Sequence, residues 1–462
     1  MEEAEWAITE FGSAMLGDAR RTDRLIAMAT VLGQRPGASI PAACDDLAMR
    51  KGTYRFLENG SIEPGAMLAA HVEATWERVG TVPVILAVQD TTDLDFSTHP
   101  ATEGLGPLGR GAHGLSVHST LAVTPEGLPV GLLAQDVWAR PSDPPPKKRP
   151  LCARESHKWL TSLAQVAEKR SRAPQTHLVS VGDREADFYD LFVAPRPAGV
   201  DLLIRARFDR WVRVATDEHA YLHGLRDTLA TAPVAGTREI TVSRQAGQPA
   251  RAACVTVRSL PVTLTPPRAR LQELPSVPLW AVAVREEHPP AQGGDPLNWL
   301  LLTTMPVTTP EDALERVAWY VCRWVIEVWH KVLKSGCAIE QRQFASAATV
   351  QRGLALFSVI AWRVLYATLL ARAAPDLPCT VLLETTEWQA LYCAIHKTPQ
   401  PPSTRPTLGH AVLWLARLGG YMARTSDGPP GPEVLWRGLH RLVDLTLMFE
   451  VFTPSPNHRK CG

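Results

Sequence analysis

The stretch Val84-Ile85-Leu86-Ala87-Val88-Gln89-Asp90 decides how the fold is read. An unbroken apolar run leads into a carboxylate, the pattern of a strand buried on both faces and ending at Asp90. Working outward, Val117 to Val123 and Leu128 to Leu133 read as two more strands, separated by the turn Thr124-Pro125-Glu126-Gly127. Pro141 to Pro150 is Pro-rich and reads as a loop, and Glu155 to Arg170 reads as a helix. Leu178-Val179-Ser180-Val181 repeats the opening pattern and ends at Gly182-Asp183. A short helix from Ala186 and the strand Leu202-Leu203-Ile204 complete the order β-β-β-α-β-α-β.

A meander followed by helical crossovers is the topology of the RNase H-like fold, so the expected class is α/β with an RNase H-like core. Residues 1–65 read as a separate helical region. There Leu16-Gly17-Asp18-Ala19-Arg20-Arg21-Thr22-Asp23-Arg24-Leu25 opens a helix with Asp18 as N-cap, and a second helical stretch ends in Tyr54-Arg55-Phe56-Leu57. Residues 66–397 hold the core. Within it 215–305 reads as an all-β insertion: Ile240-Thr241-Val242, Cys254 to Val257, Leu279 to Val284 and Trp299 to Leu302 stand among turns such as Thr265-Pro266-Pro267 and Gly293-Gly294. The chain turns helical from Pro310. Pro399 to Pro406 reads as a linker, and 398–462 as a helical C-terminal region for dimerisation.

Composition excludes more than it selects. Of 462 residues, 45% are hydrophobic and 21% charged, which rules out a largely disordered chain. A net charge of +1 says nothing about partners, although thirty-nine of the forty-eight basic residues are Arg, whose planar fork suits phosphate. The eight cysteines make no CxxC pair, so a zinc knuckle is not expected and a reduced cytoplasmic setting fits. The acidic N-terminus lacks the apolar run of a secretory signal. Leu354 to Leu370 mimics a membrane span, but Arg363 at its centre favours a buried or amphipathic helix, and no membrane partner is expected.

Asp90 and Asp183 occupy the same kind of place, each closing an apolar strand. Sites in open α/β sheets form at strand carboxyl ends, and two like charges that close call for a cation between them. Oxygen ligands favour Mg²⁺ or Mn²⁺. The alternative is that each Asp caps the turn that follows it. The helix expected at 311–335 carries Tyr320, Arg323, Glu327 and Lys334 at roughly 0°, 300°, 340° and 320°, a stripe about 60° wide. Glu327 on that stripe is a third candidate carboxylate, with Tyr320, Arg323 and Lys334 placed to hold phosphate. Spacing alone leaves an ordinary solvated face with an Arg323–Glu327 pair equally open.

The set Tyr320-x2-Arg323-x3-Glu327-x6-Lys334 resembles the YREK signature of bacterial DDE insertion-sequence transposases of the IS-four family. The resemblance extends to Leu86 to Leu94, Val137 to Asp143, Val181 to Asp187, Trp299 to Thr303, Leu415 to Gly420 and the N-terminal LGDARRTDRL, covering about residues 5 to 450. It implies that Asp90, Asp183 and Glu327 form a triad holding two Mg²⁺ ions, with Mn²⁺ able to substitute. One ion would activate a water or 3′-hydroxyl and the other would stabilise the leaving oxygen. It implies phosphate contacts from Tyr320, Arg323 and Lys334. Trp299 would stack a flipped base during hairpin formation; without the resemblance, a core Trp is the better reading of that residue. Arg20, Arg21, Arg24 and Arg55 fall in the implied end-recognition region, and Arg205, Arg207 and Arg210 near the DNA backbone at the active site.

The expected function is cut-and-paste transposition. The protein would bind inverted-repeat ends of double-stranded DNA, nick, form and open a hairpin, and join the 3′ ends to target DNA. The expected active form is a homodimer on two ends in the cytoplasm, at the nucleoid, with Leu413, Leu415, Leu418, Leu435, Leu439, Leu442 and Leu445 supplying the contact. The alternatives are an RNase H-like nuclease or resolvase, and a DNA-binding inhibitor of transposition that does not cut.

Overall fold

The computed structural model describes residues 5–44, 46–143, 150–214, 222–242, 251–289, 295–424 and 427–453. Most of the expected Pro141–Pro150 loop, the Gly293-Gly294 turn and Cys461 lie outside the described residues. Twelve strands form one mixed sheet: β1 (Val84–Asp95), β2 (Gly106–Pro107), β3 (His113–Val123), β4 (Pro129–Trp138), β5 (His177–Gly182), β6 (Val200–Arg205), β7 (Trp211–Val214), β8 (His223–Gly224), β9 (Val234–Val242), β10 (Arg251–Leu264), β11 (Val277–Arg285) and β12 (Asn298–Thr303).

The expected meander is present. β3 pairs antiparallel with both β1 and β4, while β5 pairs parallel with β1 and β6 pairs parallel with β5. The centre of β1 is the run read from sequence, with Ile85, Leu86, Ala87 and Val88 all fully buried. Helix His157–Glu168 crosses over from β4 to β5, and the short helix Tyr189–Val193 from β5 to β6.

Two expectations change. β1 does not stop at Asp90 but runs on to Asp95. Its antiparallel partner β3 continues the ladder, through Thr91↔His118 to Asp95↔Gly114, after the parallel partner β5 has ended. The 215–305 segment is not purely β either: it carries the helix Leu225–Thr231. Its strands also do not stand apart, because β12 pairs with β6 and joins them to the central sheet.

The membrane-like stretch is part of the 27-residue helix Ala347–Ala373, the one described helix long and apolar enough to span a bilayer, and most of it is buried in the protein. Arg363 on that helix donates to the Leu382 carbonyl at 3.0 Å and lies over the Trp6 ring. Arg352, about three turns earlier, ties the same helix to the N-terminal region by donating to the carbonyls of Leu57 and Ile62. The N-terminal helix Ala19–Gln34 starts as read, with the Asp18 carboxylate accepting from the Arg20 N–H at 3.0 Å.

Of the seven C-terminal leucines expected at the contact, Leu413, Leu418 and Leu445 are partly exposed and four turn inward. Leu415, Leu435, Leu439 and Leu442 are buried in the protein's own core, between helices Leu408–Leu418 and Pro432–Phe452 and the long helix. The Pro-rich linker does not detach them, because Leu408 and Gly409 donate back to the carbonyls of Leu377 and Pro375. Close approach of the two tail helices depends on Gly438, where a Cβ would stand 2.0 Å from the Leu415 carbonyl oxygen. Backbone cannot yield as a side chain can. Gly438→Ala is therefore expected to lose about 1–3 kcal/mol of stability, despite Ala's better helix propensity. Urea unfolding checks this, and an unchanged midpoint would refute the close approach.

Candidate active site

The strand register brings the first two carboxylates together. Val88 pairs with Val181 across the parallel β1–β5 ladder, so Asp90 and Asp183 each lie two residues beyond one aligned pair. With side chains alternating along a strand, both belong to the same face. Asp183 follows β5 directly and caps the turn Arg184–Ala186, accepting from the Glu185 N–H at 2.8 Å. The capping role weighed against a site is thus present and uses one carboxylate oxygen. Asp90 accepts from the Thr91 N–H at 2.9 Å.

The third carboxylate comes from the helical layer. The expected single helix is two helices, Pro310–Val321 and Trp324–Lys331, followed by a π-turn at Val332–Gly336. Between the helices the bonding tightens: Arg323 donates to Tyr320, Val325 to Cys322 and Ile326 to Arg323. The Cys322 thiol faces the Ala318 and Pro125 carbonyls, so a side chain competes for the backbone there. Arg323 bridges the layers, 2.5 Å from Glu327 and 3.9 Å from Asp90. Both readings of the stripe are therefore realised at once: the helical ion pair exists, and it stands over the sheet carboxylate.

Lys334 falls within the π-turn. It donates to the Asp93 carbonyl on β1 and pairs with Glu340 at 3.3 Å. Trp299 on β12 is half-buried and packs against the edge of the hydrophobic core. Its ring meets Tyr320 edge-on, with centroids 5.2 Å apart, and Arg205 lies 5.7 Å from its centroid. Arg207 is exposed. Arg210 is committed to an ion pair with the buried Asp187. Arg20 and Arg55 are exposed, whereas Arg21 donates to the Leu16 carbonyl and Arg24 to the Met49 sulfur. Arg20 is also ion-paired to Asp18 at its helix start, and Met49 stands on the neighbouring helix Leu47–Glu58.

Electrostatics distinguish Asp90. Burial pushes its carboxyl up to about 7; Arg323 and the Thr91 N–H pull it down, and the charges of Asp183 and Glu327 push it up again. Burial opposes the Arg323 charge, but Tyr320, Glu327 and Asp90 more than offset that. Because the folded pKa exceeds an unfolded value near 3.9, ionising Asp90 costs stability. The cost begins as pH rises past about 4 and is complete above about 7. Without divalent ions, Asp90→Asn is expected to raise Tm by roughly 2 °C or more at pH 8, and the gain should vanish towards pH 4. Melting curves in EDTA test this; an equal Tm at pH 8 would show that Asp90 carries no such burden.

Two features escaped the sequence reading. His330 is buried with its Nδ1 3.9 Å from Asp90, its Nε2 has no hydrogen-bond partner, and burial holds it neutral, down to about 3. Its position three residues after Glu327, at about 280° on the same projection, was the available signal. On the opposite face of the sheet a buried chain joins three strands: Thr91 Oγ1 to His118 Nδ1 at 2.9 Å, His118 Nε2 to Gln89 Oε1 at 3.1 Å, and Gln89 Nε2 to Ser180 Oγ at 2.8 Å. The Gln89 amide donates to Ser180, so its oxygen receives the His118 Nε2–H, and Thr91 donates to Nδ1. Alternation around Asp90 (Gln89 and Thr91 inward on one face) hinted at the pair but not at its partners.

The carboxylates' oxygen chemistry suits a hard divalent cation, and a cation would relieve the charge that Asp183 and Glu327 impose on Asp90. Among the described residues, however, no three acidic, His or Cys side chains are already drawn into a coordination shell. Glu327 is held by Arg323 instead.

Comparison with known proteins gives the class. Residues 3–62 match the family model "Transposase DNA-binding". This supports a DNA transposase whose N-terminal helical region is its DNA-binding part. Residues 359–449 match "Transposase Tn5 dimerisation domain". The two matches together support a Tn5-like transposase with a dimerisation region near its C-terminus. A cryo-EM structure of the piggyBac transposase synaptic complex with hairpin DNA overlaps 99% of this chain and 79% of that one at 8% identity and a TM-score of 0.36.

Proposed function

We propose that the protein is a cut-and-paste DDE transposase of the IS-four, YREK-bearing kind. Its core is read as RNase H-like, an interpretation supported by the strand order β4-β3-β1-β5-β6 with only β3 antiparallel to its neighbours. The observation that carries the activity is the matched register of Asp90 and Asp183 on adjacent parallel strands, with Glu327 joined to Asp90 through Arg323. Asp90, Asp183 and Glu327 would hold two Mg²⁺ or Mn²⁺ ions, which when bound supply Lewis acidity for phosphodiester cleavage and strand transfer.

The chain's own residues do the rest. Arg323 offsets carboxylate charge at the site, and its guanidinium would be free to bond a phosphate if Glu327 were held by a metal ion. Tyr320, which is buried, and Arg205 stand beside Trp299. Lys334 offers a cation further along β1. Incubating the protein with Mg²⁺ and duplexes carrying the element's inverted-repeat ends tests the reading. Nicks at the end boundary followed by hairpins are expected; intact DNA under conditions where the ends are bound would leave a DNA-binding inhibitor.

Trp299 provides a sharper test of the hairpin step. Trp299→Ala should nick normally but form hairpins about ten- to a hundredfold more slowly, because a base loses a stacking partner worth roughly 1–3 kcal/mol. Single-turnover gels separate the two steps. An equal fall in both would assign Trp299 to packing against Tyr320.

A further inference from the structure

The segment leaving β6 alternates cations and rings: Arg205, Arg207, Phe208, Arg210, Trp211 and Arg213. Phe208 and Trp211 are 52% and 56% exposed. Arg207 lies 5.4 Å from the Phe208 ring centroid, a cation–π contact made at the surface. On β7, Trp211 and Arg213 are exposed while Val212 between them is fully buried, so the ring and the guanidinium share one face.

This ribbon is fastened to the candidate active site. The Arg207 and Phe208 N–H groups donate to Asp187 Oδ2 at 2.7 and 3.0 Å, and Arg210 completes the ion pair with the same buried carboxylate. Asp187 ends the short turn that Asp183 begins. The exposed rings are therefore positioned by the loop that carries a candidate metal ligand. Charge is concentrated here as well. In a chain of net charge +1, residues 205–213 hold four Arg against one Asp, and Asp209 is occupied in accepting from the Arg226 N–H.

We propose that Phe208 and Trp211, flanked by Arg207 and Arg213, bind single-stranded DNA beside the active site, stacking unpaired bases on the rings and holding phosphates with the guanidiniums. Alternating rings and cations is the chemistry of single-strand recognition, since every base has a π-face and every linkage a negative charge. Trp, Phe and Arg are also enriched at protein interfaces, which makes a change of oligomeric state the competing outcome. The proposal rests on the DNA-cutting reading, because cutting one strand at a duplex end is what frees unpaired nucleotides there. The site is separate from Trp299, which is half-buried against Tyr320.

The test is a binding measurement that needs no cleavage. Fluorescence anisotropy of the full-length protein, without divalent ions, would use a labelled 20-nucleotide strand of mixed sequence and its duplex. The double variant Phe208→Ala/Trp211→Ala should bind the single strand about ten- to a hundredfold more weakly and the duplex within about twofold. Phe208→Tyr/Trp211→Phe, which keeps the rings, should restore single-strand affinity to within about threefold, excluding a folding defect. Unchanged single-strand affinity in the Ala variant would overturn the proposal, as would an equal loss on duplex. Sedimentation of the same variant covers the remaining outcome: a change of oligomeric state with single-strand affinity intact would make this a protein interface. The DNA-cutting reading fails separately, by absence of nicking in wild-type protein.

Discussion

Asp90→Asn, Asp183→Asn and Glu327→Gln are each expected to abolish cleavage of end-bearing DNA, by on the order of 10³-fold or more, while end binding stays near wild type. Each substitution removes a candidate ligand for a hard cation but also removes a negative charge from a surface that must accept phosphates. Binding and cutting therefore separate. For Asp90 the separation should be clearest, because burial and the charges of Asp183 and Glu327 already disfavour its ionised form. For Glu327 the effect has a second part: Gln frees Arg323 from its 2.5 Å ion pair, so end binding should hold or rise slightly. Nicking gels in Mg²⁺ beside gel shifts on the same duplex decide the matter. Near-wild-type nicking by any one variant would remove that residue from the triad.

The second large effect is expected at the C-terminus, on residues other than the leucines first read as the interface. Leu447, Met448, Val451 and Phe452 are 45%, 53%, 69% and 75% exposed at the end of helix Pro432–Phe452. Their spacing gathers them on one side of the helix, and contiguous exposed apolar surface marks an interface. The match to the Tn5 dimerisation domain reaches residue 449. Met448→Glu/Val451→Glu should therefore yield a folded protein that binds one end but forms no two-end complex and does not cut. An unpaired charge buried at an interface costs on the order of 2–5 kcal/mol, enough to weaken pairing more than about thirtyfold. Sedimentation and the loss of the slower-migrating DNA complex would report it; a variant that still pairs two ends would move the dimer contact elsewhere. Truncation near residue 400 cannot serve as this test, because it would strip Leu408, Leu415, Leu435, Leu439 and Leu442 from the core.

Local patterns in the chain determined a good deal. Apolar runs ending in Asp90 and Asp183 specified two buried strands, because a strand covered on both faces needs near-continuous hydrophobicity. Asp18 specified a helix start, because a short carboxylate can bond the first free N–H groups of a helix. The Tyr320, Arg323 and Glu327 spacing correctly placed the ion pair, since residues four apart meet on any helix. Each of these depends on neighbours within one or two turns. What tertiary structure decided depends on partners far away in sequence. β3 carries β1 past Asp90, which no property of β1 itself requires. Lys334, in the π-turn, reaches the Asp93 carbonyl some 240 residues earlier in the chain. His118 finds Gln89 and Ser180 only because three strands align. The tail leucines look identical in sequence whether they face a second subunit or their own core. Two helices approach closely at Gly438, with Leu415 and Leu435 turned inward, while Met448 and Val451 stay exposed. A hydrophobic pattern states that a face must be covered; only the packed chain determines by what.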